Sequence, residues 1–363
     1  MRGEERQQRS MLMVMKVEQQ IPREHPLRRI KQLAEAVLQE LSPTFDQMYS
    51  STGRPSIPPE RLLKASLLMA LYTVRSERLF CEQLDYNLLF RWFLELELDE
   101  SSFDHSSFSA NRRRLLEHGV ADEFFWGVVR QARALHLLSN EHFTVDGTLI
   151  EAWASLKSFQ RKDRKPGKGP DDPGNPTVNF HGEKRSNQTH QSSTDPEALL
   201  ARKGKGKEAK LYYSGNALAE NRNFLLLDFQ VEPADGFAER RAAVAMVEAR
   251  LAERGRITLA GDKGYDTGDF VASCRTRQIT PHVAQNLARP GGSALDVRTT
   301  RHPGYALSQW MRKRIEEGFG WMKTVGGLRK TRYCGRQRVQ MHAYFVAAAY
   351  NLLRMARLAP APA

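Results

Sequence analysis

His142-Phe143-Thr144-Val145-Asp146 is the stretch where the chain changes period, and its reading decides the fold. Apolar and polar residues alternate across it, the two-residue repeat of a strand with one buried face. Upstream, the repeat is helical. Leu27, Ile30, Leu33, Ala34, Val37, Leu38 and Leu41 follow i, i+3, i+4, i+7 spacing and stop at Ser42-Pro43. A second helix opens at Ser56, with Pro58 and Pro59 in its first turn and Glu60 behind them. Leu62, Leu63, Leu67, Ala70 and Leu71 supply its buried stripe, and Leu84–Phe93 and Phe124–Leu135 carry two more helices. Residues 1–138 therefore read as an all-α N-terminal lobe.

Downstream, strand patterns recur at Leu211–Ala217, Phe224–Glu232, Ile257–Asp262 and Ile279–Ala284. Helical patterns fall at Ala238–Glu253, Asp269–Arg277, Ser308–Val325 and Val339–Leu358. The resulting order is an α/β unit over 139–355, a mixed five-stranded sheet flanked by helices. Lys157–Lys210 stands apart, because it is rich in Lys, Arg, Gly, Pro, Asp, Asn and Ser. Such a composition buries too little apolar area to offset ~1–2 kcal/mol per residue of backbone entropy, so a flexible, disordered basic insertion is expected there. The end of the chain, 356–363, reads as a disordered tail.

Charge narrows the partner. The 363 residues carry 55 Lys and Arg against 42 Asp and Glu, a formal net charge of +13. That balance directs the chain to polyanions without naming one. No apolar run reaches the ~18–20 residues of a membrane span, so no membrane association is expected. Cys81, Cys274 and Cys334 are too scattered for a disulfide framework or a zinc site, and they fit a reducing cytoplasm. No glycine-rich strand–helix fingerprint precedes a helix, which excludes the usual dinucleotide and P-loop readings.

Three carboxylates stand where chemistry would want them. Asp146 ends one strand run and Asp262 ends another, at the edge where α/β sheets place ligands. Each aspartate by itself also suits a turn, since Asp146-Gly147 and Asp262-Lys263-Gly264 are turn-prone pairs. Glu316 lies on a helical run, Trp310–Lys323, with Arg312 and Lys323 within about 40° of it on one face. Arg312 and Glu316 also have the i, i+4 spacing of an ordinary surface ion pair. Converging carboxylates repel unless a cation lies among them, and oxygen donors select Mg²⁺ or Mn²⁺. Two such ions ~3.5–4 Å apart serve phosphoryl displacement.

These residues bear a resemblance. The chain resembles the bacterial insertion-sequence DDE transposases, in particular the group related to insertion sequence five. The likeness is carried by Gly53–Ala65, Arg75–Arg78, Phe143–Ala152, Asp262-Lys263-Gly264-Tyr265 and Arg314–Lys323. The family's Tyr-x2-Arg-x3-Glu-x6-Lys signature is matched by Arg312, Glu316 and Lys323, while Gln309 stands at the Tyr position. The resemblance implies a ribonuclease H-like fold in 139–355. It implies that Asp146, Asp262 and Glu316 hold two divalent ions, and that the reaction is metal-dependent DNA strand cleavage followed by strand transfer.

It further implies that Arg312 and Lys323 contact phosphate, that Tyr265 touches the transferred strand, and that Arg329, Lys330 and Arg332 lie on the DNA backbone. The N-terminal lobe, with Arg112-Arg113-Arg114, Arg75 and Arg78, would read terminal inverted repeats and help dimerise. The partners implied are double-stranded DNA, as element ends and target, and further copies of the chain in a homodimer or larger synaptic complex. The cellular setting implied is the nucleoid-associated cytoplasm. Two other readings compete: a metal-dependent nuclease of the same fold, and a catalytically silent DNA-binding relative.

Overall fold

Eight helices precede the first strand in the computed structural model, which describes residues 16–50, 52–53, 56–163, 185–204, 206–251 and 255–358. They are α1 (Val17–Gln20), α2 (Pro26–Glu40), α3 (Ser42–Met48), α4 (Pro59–Leu71), α5 (Glu77–Tyr86), α6 (Leu88–Leu94), α7 (His105–Glu117) and α8 (Val120–Ala134). Local chemistry sets several of their starts. Proline occupies the first turn of α2 and α4, where a missing N–H costs nothing. Ser76, Asn87 and Asp104 accept backbone N–H bonds at the starts of α5, α6 and α7. Of these, α7 escapes a periodicity reading because its buried apolar residues are only Phe108 and Leu115.

The strands are β1 (His142–Glu151), β2 (Phe159–Arg161), β3 (His190–Ser192), β4 (Leu199–Arg202), β5 (Ala209–Glu220), β6 (Leu226–Pro233), β7 (Ile257–Gly261) and β8 (Ile279–Val283). β2 and β3 form a separate two-stranded ribbon. In the main sheet β6, β5, β1, β7 and β8 lie side by side, antiparallel from β6 to β1 and parallel from β1 to β8. With the connections between them, this is the ribonuclease H-like order that the resemblance implies. The sheet has a sixth strand, however, because β4 pairs with the start of β5 through Leu199–Arg202.

β4 lies inside the segment expected to be disordered, and that expectation needs correction. Residues 156–163 and 185–204 hold the ribbon and β4, with His190, Ser192 and Asp195 buried. Polar pairing replaces the missing apolar area. Asp195 accepts from the Tyr213 hydroxyl at 2.6 Å and from the Gly335 N–H at 3.2 Å, and His190 stacks on Phe159. Composition undervalued such bonds, which hold where donor and acceptor are both removed from water. The Lys165–Pro176 run and Ala359–Ala363 lie outside the described residues, whereas 356–358, expected in the disordered tail, form the end of the last helix, where Ala356 still packs on the core.

The remaining helices are α9 (Ala238–Leu251), α10 (Gly268–Thr276), α11 (Val297–Thr300), α12 (Pro303–Met311), α13 (Ile315–Thr324) and α14 (Arg336–Leu358). α14 is the hub, packing on α2, α4 and α8 on one side and on β6 on the other. Ala343, Val346, Ala347 and Leu352 are fully buried along it, within one apolar cluster that runs from Leu27 to Met355. Two amide side chains of α14 stand in for a missing strand beside β6. Gln340 bonds the Val231 N–H and the Phe229 carbonyl, and Asn351 bonds the Leu226 N–H and carbonyl. These bonds satisfy the backbone of β6 where no strand does.

Candidate active site

β1 and β7 run parallel with His142 opposite Thr258 and Thr144 opposite Ala260. Two residues further on, the same register brings Asp146 level with Asp262. Parallel neighbours lie about 4.8 Å apart, so the two aspartates are adjacent across the end of β7. Asp146 is not a strand end, contrary to the sequence expectation, since β1 continues to Glu151. The edge of β1 is left open because β7 stops at Gly261, and the crevice belongs to β7. Beyond it, the 329–331 segment closes onto β1 again: the Glu151 N–H donates to the Arg329 carbonyl and Thr331 N–H to the Glu151 carbonyl.

The two carboxylates differ in setting. Asp262 caps the short 3-10 turn Lys263–Tyr265, accepting from the Gly264 N–H at 2.7 Å. Asp146 accepts from the Gly147 N–H at 2.8 Å and is largely withdrawn from water. Burial pushes its carboxyl up to about 7, the charges of Asp262 and Glu239 push the same way, and the Gly147 N–H and Arg312 oppose them. A carboxyl raised first by burial and further by neighbouring carboxylates marks a place where a cation would relieve repulsion.

Glu239, near the start of α9, was not anticipated. Its residue is exposed overall, but its carboxylate end folds in over Gly147. Burial and the charge of Asp262 raise its pKa. The signal in the sequence was weak: an acid in the first turn of a helix has an ordinary reason to be there, the helix dipole.

Glu316 stands differently. The expected continuous helix is broken, with α12 ending at Met311, a 3-10 turn over Arg312–Arg314, and α13 starting at Ile315. Glu316 is exposed in the first turn of α13 and makes neither an ion pair with Arg312 nor a hydrogen bond among the described residues. It is not among the charges that set the Asp146 carboxyl. Its companions do meet β1. Arg312 acts on Asp146, and the Lys323 ammonium donates to the Thr148 hydroxyl, two residues along the same face of β1. Glu316 lies between these two contacts on the same connection.

Among the described residues no three His, Cys, Asp or Glu side chains are gathered tightly enough to cage a metal ion. The arrangement is a carboxylate pair with Glu239 beside it and Glu316 standing off. That donor set of hard oxygens fits a divalent cation at the Asp146–Asp262 pair.

Several expected DNA contacts are placed otherwise. Tyr265 is fully buried, packed against Phe270 and Gly261, so it does not reach a strand. Its ring fills the space beneath the β7 turn, which explains its residue type. Arg332 turns inward to the Val74 carbonyl and the Tyr333 hydroxyl. Arg112 is likewise taken up, bonded to Glu77 and stacked 4.6 Å over the Tyr333 ring. Arg329 and Lys330 are exposed, Lys330 pairing with Glu151 at 3.3 Å. Gln309, at the signature's Tyr position, bonds the His282 carbonyl and accepts from Arg312 Nε at 3.0 Å, so it aims the arginine.

No helix among the described residues is long and apolar enough to cross a membrane. A comparison with curated proteins finds no match. Among solved structures, the chain is similar to a piggyBac transposase synaptic complex with hairpin DNA, at 9% identity and a TM-score of 0.39, covering 91% of this chain and 74% of that one. It is also similar to the Mos1 strand transfer complex, at 13% identity and a TM-score of 0.20, covering 77% and 78%. Two family models match the sequence. Residues 15–114 match the transposase domain DUF772, and residues 185–352 match the transposase DDE domain. The second span includes Asp262 and Glu316 and begins after Asp146. Between them the two matches take in most of the chain, and on that ground the protein belongs to the insertion-sequence DDE transposases.

Proposed function

We propose that the chain binds the terminal inverted repeats of an insertion sequence, of the group related to insertion sequence five, and cuts and joins DNA strands at the Asp146–Asp262 pair. The observation that carries this reading is the adjacency of those two carboxylates across the end of β7, with Asp146 raised to about 7. Divalent Mg²⁺ or Mn²⁺, two ions in the full site, would supply the Lewis acidity that activates the attacking oxygen and offsets charge on phosphate.

The residues have distinct tasks. Asp146 and Asp262 hold the ions, and Glu316 completes the set when α13 brings its carboxylate inward. Arg312, aimed by Gln309, offers its guanidinium to the phosphate under attack. Lys323 and Arg329 hold the strand beyond it, and Lys330 lies further out on the same surface. The helical region 1–138 recognises element ends and brings copies of the chain together. Its exposed Arg75, Arg78 and Arg113 serve this better than the engaged Arg112. The net charge of +13 fits a DNA partner and a nucleoid setting.

The test is incubation of the full chain with duplexes carrying the element's ends and Mg²⁺, mapping each nicked strand and each joined product. Nicks at the element's ends with strand joining support the reading. Nicking of any duplex with no joining would make the protein a nuclease instead.

A further inference from the structure

A cavity of about 570 Å³ opens where the helical region meets the sheet, lined by Thr73 and Arg75 after α4, Trp153 after β1, and Lys323, Arg329 and Lys330 around the end of α13. Its volume falls within the ~300–1,000 Å³ of small-ligand sites. Two features of its lining need an explanation. Trp153 is 56% exposed, and no cation or ring among the described residues stacks on it. An unpartnered indole in water forgoes most of its available burial. The cations are also unbalanced. Lys323 is half-buried with only the Thr148 hydroxyl as partner, and its neighbours in charge are Lys203 and Arg329, not a carboxylate. Burial, and then repulsion from these two charges, lowers the Lys323 ammonium to about 8. Arg75 is exposed and carries no ion pair among the described residues. Unpaired cations around a bare aromatic face are the two halves of a single-strand nucleotide site: phosphate to the charges, base to the ring.

Location supports the same occupant. Thr148 lies two residues from Asp146 on the same strand face, about 7 Å along β1, and Lys323, which lines the cavity, donates to its hydroxyl, so Lys323 links the cavity to the strand that bears Asp146. Trp153 lies beyond the 329–331 segment that closes onto β1, several strand residues further along. The site is too far from Asp146 for the scissile phosphate itself.

We propose that this cavity receives an unpaired nucleotide of a DNA strand whose scissile phosphate lies at Asp146, with the base stacked on Trp153 and its phosphate held by Lys323, Arg329 and Arg75. The proposal rests on the reading of the chain as a DNA strand-cutting enzyme. It gives Trp153 a role that no motif assigned, places Arg75 on the strand near the carboxylate pair, and makes the joint between helical region and sheet part of the strand path.

The test is binding of fluorescein-labelled single-stranded oligodeoxynucleotides and blunt duplexes of the same sequence to the full chain without divalent metal. The readout is anisotropy across a salt series. Trp153→Ala is expected to weaken single-strand binding roughly tenfold, with the slope against salt unchanged and duplex binding little affected. Trp153→Phe should restore most of the loss. Lys323→Met or Arg329→Gln should lower the salt slope by about one unit each. A 2-aminopurine in the single strand should be quenched by the wild type and not by Trp153→Ala. Unchanged single-strand affinity in Trp153→Ala, or equal losses for single strand and duplex, overturns the proposal. Because no metal is present, failure of the carboxylate chemistry would show separately, as retained nicking by Asp146→Asn, and would leave these binding results standing.

Discussion

The carboxylate of Glu239 lies directly over Gly147, so close that a Cβ added at position 147 would sit 2.4 Å from Glu239 Cγ and 2.5 Å from its Oε1. Glycine at 147 is therefore what lets an acid from α9 reach the residue next to Asp146. Removing the Glu239 charge, in Glu239→Gln, is expected to lower the Asp146 pKa from about 7 toward its ordinary range, because one of two repelling carboxylates is gone. A carboxyl titration by NMR checks the shift. The same variant should bind Mn²⁺ more weakly, read by water-proton relaxation. An unmoved Asp146 pKa would show that burial alone sets it.

Loss of chemistry without loss of binding is expected for the three acidic positions. Asp146→Asn, Asp262→Asn and Glu316→Gln should each abolish strand cleavage, while salt-sensitive DNA affinity stays near wild type because lysine and arginine supply it. Glu317→Gln, about 100° further round α13, should keep activity within a few-fold. Glu316 is the most exposed of these assignments, since it stands apart from the aspartate pair. Full activity in Glu316→Gln would transfer its role to Glu239.

The raised Asp146 carboxyl also makes stability depend on pH. Its folded pKa is about 7, while the unfolded chain has it near 4. Between those values the folded state keeps a proton that the unfolded state has released, so stability falls as pH rises from 4 to 7. Asp146→Asn should therefore melt higher than the wild type in metal-free buffer at pH 8, with the difference vanishing near pH 4. Added Mg²⁺ should narrow that gap at pH 8 by binding the wild type alone. Differential scanning calorimetry with a chelator and then with Mg²⁺ reads both effects.

A purely structural prediction concerns the clamp of α14 on β6. Asn351 is fully buried and satisfies both the N–H and the carbonyl of Leu226, at 2.9 and 2.8 Å. Asn351→Leu keeps the volume but strands two backbone groups. It is expected to cost about 2–4 kcal/mol by urea denaturation, without altering DNA contacts. A loss below about 0.5 kcal/mol would mean that β6 finds other partners.

How much was legible in advance differs by element. β5 through β8 and α14 announced themselves because continuous apolar runs and 3.6-residue stripes reflect burial directly. Asp146 and Asp262 were legible for the same reason, as acids interrupting buried strands. α7 was not, with two apolar anchors in thirteen residues, nor was the ribbon of β2 and β3. Those depend on partners distant in sequence, such as Asp195 meeting Tyr213 and Gly335.

The class of the chain follows from its residues in order: the helical first part, the mixed sheet, the aspartates within one strand and just after another, and the excess of positive charge. Local period and composition suffice for these, because each is a property of neighbouring residues. Which acids and bases face one another is a matter of long-range packing. It turned Tyr265, Arg332 and Arg112 inward, folded Glu239 over Gly147, left Glu316 apart, and opened Trp153 beside unpaired cations. Side-chain identity states what a residue is able to do. Whether it meets solvent, a partner or DNA depends on packing between segments that are separate in the sequence.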